Sequence, residues 1–240
     1  MKLLVVGGGG KVGSIVMPAL DREHICTHFD RRPLPGRGRS VIGEVTDPMA
    51  ARQAVQGMDS ILYMPLGIRP GTVKDLSDVR TNLDVHVMGF FLVVSAGFAV
   101  GIRRFIYVSS MDVYSGRQVR EPPIRESTPA ANFGVYGLSK RMGELVGQAA
   151  AQQVEASSVI TARLCLPMGD REWEERKPRT NANVLSRHPL GPNDTRRLFL
   201  ALVAFNRPGF HVVNAAGDPS GESICHAQAR DLLGWQPLGD

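Results

Sequence analysis

Short apolar runs alternate with amphipathic stretches along the whole chain. The runs fall at residues 2–6, 24–29, 40–44, 59–64, 104–109, 157–164 and 209–214, and most are broken by Gly, Pro or Asp. Near-continuous runs of this kind suit parallel strands covered on both faces. Between them the pattern predicts helices at 11–21, 47–55, 136–153, 195–205 and 224–233, and two helical stretches that end near Val100. Pro18 must kink the first helix or lie on its exposed side. Asp47 before Pro48 is a plausible cap for the second. Strands that alternate with helices predict an α/β fold, a doubly wound parallel sheet in a single domain over 1–240. The long loops near Pro65, Ser115 and Gly169 all follow strands. In such sheets ligands lie at the carboxyl ends of the strands, so all three loops can reach one site. The segments 169–193 and 194–240 are expected to form its substrate side.

Residues 85–100 are almost wholly apolar. The run falls short of a membrane span, and a helix apolar on all sides is buried on more than one face. One face is expected on the sheet and another on a neighbouring helix or subunit. A homodimer through this helix and the one at 136–153 follows as an expectation.

The net charge is +5, but the basic residues occur only in short pairs such as Arg31-Arg32, Arg103-Arg104 and Arg196-Arg197. No long basic run marks a nucleic-acid partner, whereas an anionic cofactor or substrate fits. Cys26, Cys165 and Cys225 show no metal or redox spacing and read as buried thiols of a reducing compartment. The first strand begins at Lys2, which leaves no room for a leader and points to the cytoplasm.

Gly7, Gly10 and Gly13 stand between the first strand and the first helix. Such a loop needs one glycine for the turn, one for close approach of a pyrophosphate and one for helix–strand packing. Lys11 and Val12 then open a helix whose free N–H groups favour phosphate. Asp30 ends the second strand and can accept from both ribose hydroxyls, which favours NAD. Arg31 and Arg32 follow it and keep NADP open.

Tyr136 and Lys140 are four apart on a predicted helix and share a face. An adjacent ammonium favours phenolate, so the tyrosine can exchange a proton near neutral pH. Ser110, at the end of the fifth strand, can orient a substrate hydroxyl or carbonyl.

Together these residues resemble the extended short-chain dehydrogenase/reductases, in their NAD-dependent epimerase/dehydratase branch. The matching stretches are 5–13, 43–47, 108–114, Tyr136-Gly137-Leu138-Ser139-Lys140 with Gly143-Glu144, Arg163-Leu164 and 233–237. The resemblance implies a Rossmann fold, NAD(P) as cofactor, and Ser110, Tyr136 and Lys140 as the catalytic triad. It also implies Glu44-Val45 near the adenine and Lys140 on the nicotinamide ribose. Met111 and Arg163 are candidate substrate contacts, joined by Arg171 and Arg179 from an Arg-rich loop suited to a carboxylate or phosphate. The expected substrate is a sugar or nucleotide sugar. The short C-terminal part also resembles uronate dehydrogenases of free sugar acids, and a non-catalytic cofactor sensor is a third reading. The chain departs from the family pattern at Val6, at Met64-Pro65-Leu66-Gly67, and at His86, which stands where asparagine is usual. His86 reads as a buried, hydrogen-bonded histidine or as a member of a proton relay.

Overall fold

A computed structural model describes residues 1–69, 71–114, 122–176 and 183–240. Seven strands form one sheet in the order β3-β2-β1-β4-β5-β6-β7, and every neighbouring pair is parallel. They are β1 (Lys2–Val6), β2 (Ile25–Asp30), β3 (Arg39–Ile42), β4 (Ser60–Tyr63), β5 (Arg104–Ser110), β6 (Ser158–Leu164) and β7 (Gly209–Ala215). This is the doubly wound parallel sheet that the alternation predicts and the Rossmann fold that the resemblance implies.

The strands read as unbroken apolar runs because both faces are covered. Leu3, Val5, Leu62 and Ile106 pack with α1 (Lys11–Glu23) and α8 (Pro192–Ala204). Leu4, Val6, Ile61 and Phe105 pack on the other side with α2 (Pro48–Ala54) and the helices near residue 90. Pro18 lies on the exposed side of α1. Asp47 caps α2 by accepting from the Met49 N–H at 2.8 Å.

The two expected helical stretches are one continuous helix. It comprises α3 (Leu76–Leu83), a π-helical turn (Asp84–Met88) and α4 (Gly89–Ala99). At 24 residues it is long and apolar enough to cross a membrane, so the argument from length in the sequence does not hold. Its Phe90, Val93 and Val94 lie in the core against the sheet. Met88 and Phe91 are about half exposed, so in the single chain only part of its surface is covered.

The segment 169–193, read from the sequence as an Arg-rich loop, carries α6 (Asp170–Glu174) and α7 (Val184–Arg187) among its described residues. Helices α5 (Val135–Gln153) and α9 (Ala227–Leu233) complete the described elements. Cys26 and Cys165 are buried as expected, while Cys225 is only half-buried.

Candidate active site

The strand order reverses between β1 and β4, and the loops that follow these two strands touch. Gly7 has φ +78, and a Cβ there would lie 2.7 Å from the Pro65 backbone. A side chain at Gly13 would run into the Gly8 carbonyl. At Gly10 a Cβ would meet only the Gly7 carbonyl, at 3.5 Å, and Gly10 caps α1 with no side-chain acceptor for the helix N–H groups. These three positions match the three demands that a pyrophosphate-binding turn makes.

A cleft of about 190 Å³ opens beside this turn, lined by Gly7, Gly10, Asp30, Arg31, Glu44, Val45 and the β4 loop Pro65–Ile68. Asp30 Oδ2 accepts from the Gly9 N–H at 3.0 Å, which holds its carboxylate over the glycine turn. Lys11 forms an ion pair with Glu172 of α6 at 2.6 Å. Val12 is partly buried against the core.

The α5 helix carries Tyr136 in its first turn and Lys140 in its second. The Lys140 ammonium is buried and donates to the Val108 carbonyl at 2.9 Å and the Pro65 carbonyl at 3.4 Å. Burial pulls it down to about 7, opposed by the Glu144 carboxylate. Its Nζ is 6.0 Å from the centre of the Tyr136 ring. Burial pushes the Tyr136 phenol up to about 12, with the nearby Ser110 hydroxyl lowering it and the Asp112 carboxylate raising it. The lowering expected from Lys140 is therefore not realised in the chain by itself. The ammonium is turned toward two backbone carbonyls, and desolvation dominates. Ser110 Oγ accepts from the Asp112 N–H at 3.1 Å, at the start of a short 3-10 turn (Met111–Val113).

Three expected substrate contacts are engaged by the protein itself. Arg163 is 3% exposed, and its guanidinium pairs with Glu144 at 2.8 and 2.7 Å and bonds the Tyr114 hydroxyl. The sequence offers no sign of this, because Glu144 meets Arg163 only when α5 docks on β6. Met111 is 1% exposed in a cluster with Val113, Tyr114 and Ile124. Arg171 is on the surface and paired with Glu175 at 2.8 Å. Arg179 lies outside the described residues. A cavity of about 850 Å³ does lie beyond β6 and β7, but Trp173, Arg176 and Arg187 line it instead.

The family model of the NAD dependent epimerase/dehydratase family matches residues 3–192. A 3-beta-hydroxysteroid dehydrogenase of Mycolicibacterium neoaurum is 32% identical over 124 residues, 49% of this chain and 34% of that protein. The matched part thus spans about a third of the length of that curated relative. Among solved structures, a glucuronic acid dehydrogenase from Chromohalobacter salexigens superposes with TM-score 0.80 at 22% identity, covering 99% of this chain and 84% of the other. A short-chain dehydrogenase/reductase superfamily protein from Agrobacterium tumefaciens, with bound NAD, superposes with TM-score 0.79 at 20% identity, covering 99% and 92%. These two share the fold.

Proposed function

The chain belongs to the NAD dependent epimerase/dehydratase family, and on that premise we propose that it is an NAD(P)-dependent oxidoreductase acting on a hydroxyl or carbonyl of a sugar or nucleotide sugar. One observation carries the reading: Tyr136, with its ring centre 6.0 Å from Nζ of Lys140, stands one helical turn from that buried lysine, which contacts the wall of the glycine-lined cleft.

The cleft fits a dinucleotide, because Gly10 leaves the α1 N–H groups open and a Cβ at Gly7 or Gly13 would meet backbone. Gly7, Gly10, Lys11, Val12 and Gly13 would hold its pyrophosphate. Asp30 would hold the adenosine ribose, Glu44 and Val45 would border the adenine, and Lys140 would hold the second ribose. The anchored Asp30 carboxylate favours NAD, with Arg31 beside it for NADP. When bound, the dinucleotide supplies a hydride acceptor or donor. Ser110 orients the substrate oxygen. Tyr136 Oη takes the hydroxyl proton during oxidation and returns it during reduction. A charged Lys140 favours the phenolate that this requires.

The segments 169–193 and 194–240 supply the substrate side of a single domain. A free sugar acid, as in uronate-type dehydrogenases, is the second reading; it is favoured by the arginines Arg176 and Arg187 around the large cavity. We place the protein in the cytoplasm, without nucleic-acid or membrane partners. We also place a homodimer contact at Met88 and Phe91, with the exposed Leu145 of α5.

Tyr136→Phe tests the enzyme reading. The variant is expected to lose nearly all turnover in a screen of sugars, sugar acids and nucleotide sugars while still binding NADH. Unchanged turnover would remove Tyr136 from the mechanism, and wild-type protein that binds NADH but turns over nothing in the screen would leave the sensor reading standing.

A further inference from the structure

The helix from Leu76 to Ala99 carries two polar side chains with no exposed surface, Asn82 and His86. Both reach the same loop. The Gly67 N–H donates to His86 Nε2 at 3.2 Å, and the Ile68 N–H donates to Asn82 Oδ1 at 3.0 Å. A Cβ at Gly67 would run into Asn82 Oδ1, so only glycine lets the loop lie this close. The loop is the β4 loop that lines the same cleft as Asp30.

The second ring nitrogen of His86 faces the catalytic helix. Nδ1 lies 2.8 Å from Ser139 Oγ, and Ser139 Oγ donates to the Tyr136 carbonyl at 3.0 Å. A backbone N–H can only donate, so Nε2 is the acceptor and the neutral ring carries its proton on Nδ1. The chain of donors runs in one direction, from Gly67 through His86 and Ser139 to Tyr136. Burial and the Lys140 ammonium keep the imidazole pKa well below its ordinary value, in line with the neutral ring.

We infer that His86 is a positioning residue that ties the cofactor-facing β4 loop to the first turn of the tyrosine helix, with Asn82 as the second anchor of that loop. The cofactor half of this inference rests on the dinucleotide reading above; the tie itself does not. The π-turn places the residue. It contains His86 and aims Val85 and His86 carbonyls at the Tyr63 and Tyr107 hydroxyls, at 2.5 and 3.3 Å. The helix is thus fixed to β4 and β5 at the turn that holds the loop.

Two substitutions separate the two ends of the imidazole. His86→Asn keeps a group near Nδ1 for Ser139 but is too short to reach Gly67. His86→Gln carries its amide out to the Nε2 position and can accept from Gly67. In cofactor-free protein the Gly67 amide is expected to exchange about five- to tenfold faster in His86→Asn, the range set by one lost hydrogen bond. His86→Gln should restore most of the protection. NADH affinity, followed by its fluorescence, should fall by a similar factor in the Asn variant and recover in the Gln variant. Thermal stability measured alongside separates this pattern from general loosening, which would not be rescued by Gln. Equal exchange at Gly67 in all three proteins would overturn the tie. Faster exchange with unchanged NADH affinity would overturn its role in cofactor binding. Wild-type protein that protects Gly67 yet binds no NADH would overturn the dinucleotide reading and leave the tie in place.

Discussion

Replacing Arg163 by methionine should unfold the protein several degrees earlier without that residue ever meeting substrate. The Glu144 carboxylate is fully buried and receives four donors: Ser109 Oγ at 2.7 Å, Arg141 Nη1 at 2.9 Å, and Arg163 Nε and Nη2. Removing one partner of a buried ion pair costs about 3–5 kcal/mol, because the remaining charge stays desolvated. Ser109 and the one-third-exposed Arg141 remain after Arg163→Met, so the low end, about 3 kcal/mol, is expected. For a chain of this size that corresponds to a fall in Tm of roughly 6–12 °C. Glu144→Gln alone should cost a similar amount, since it leaves Arg163 short of a counter-charge. The double variant should be less destabilised than the sum of the two by about 2 kcal/mol, a coupling of the size that contacting residues show. Urea unfolding of the four proteins measures the cycle. If Arg163→Met lost less than about 1 kcal/mol, or if the two changes simply added, the buried-pair account would be wrong. A raised KM at unchanged stability would instead return Arg163 to the substrate.

Two further outcomes follow from the glycine turn and from Lys140. Gly10→Ala should fold with nearly wild-type stability, since its Cβ meets only an ordinary contact, yet it should bind NADH at least about tenfold more weakly. Gly13→Ala should lower both, because its Cβ meets the Gly8 backbone. Isothermal titration and thermal melts of the pair decide, and equal NADH affinity in Gly10→Ala and wild type would refute the placement. Burial lowers Lys140 from 10.5 to about 7. Between those values the unfolded chain holds a proton that the folded chain lacks, so this group makes stability rise with pH across that window, by up to about 1.4 kcal/mol per unit. Urea unfolding of wild type and Lys140→Met at pH 7 and pH 8.5 isolates the effect. Parallel profiles would contradict a buried, weakly basic lysine.

The sheet was readable because its strands are covered on both sides, so Leu3 to Val6 or Val159 to Leu164 register as runs whichever face each residue serves. The glycine turn was readable because its constraints are local. Arg163 was not. An arginine in a strand has the same local sequence whether it meets a ligand or a glutamate from a helix packed on the sheet. The state of Tyr136 also escaped the spacing rule. Four residues on a helix put Tyr136 and Lys140 on one face, but they do not say that the ammonium turns toward Val108 and Pro65. Asn82 carries a fainter signal: its spacing of four from His86 in an apolar helix marks two buried polar groups that share a task. Nothing in the composition of residues 84–88 announces a π-turn.

That wider turn changes what local regularity is worth here. Winding advances about 100° per residue in an α-helix, so trimming one residue between Asp84 and Met88 would let the rod close into an uninterrupted and locally better-bonded spiral. Asn82 would then swing away by that angle relative to Phe90 and the sheet. The shortened helix would be the better helix and the poorer scaffold.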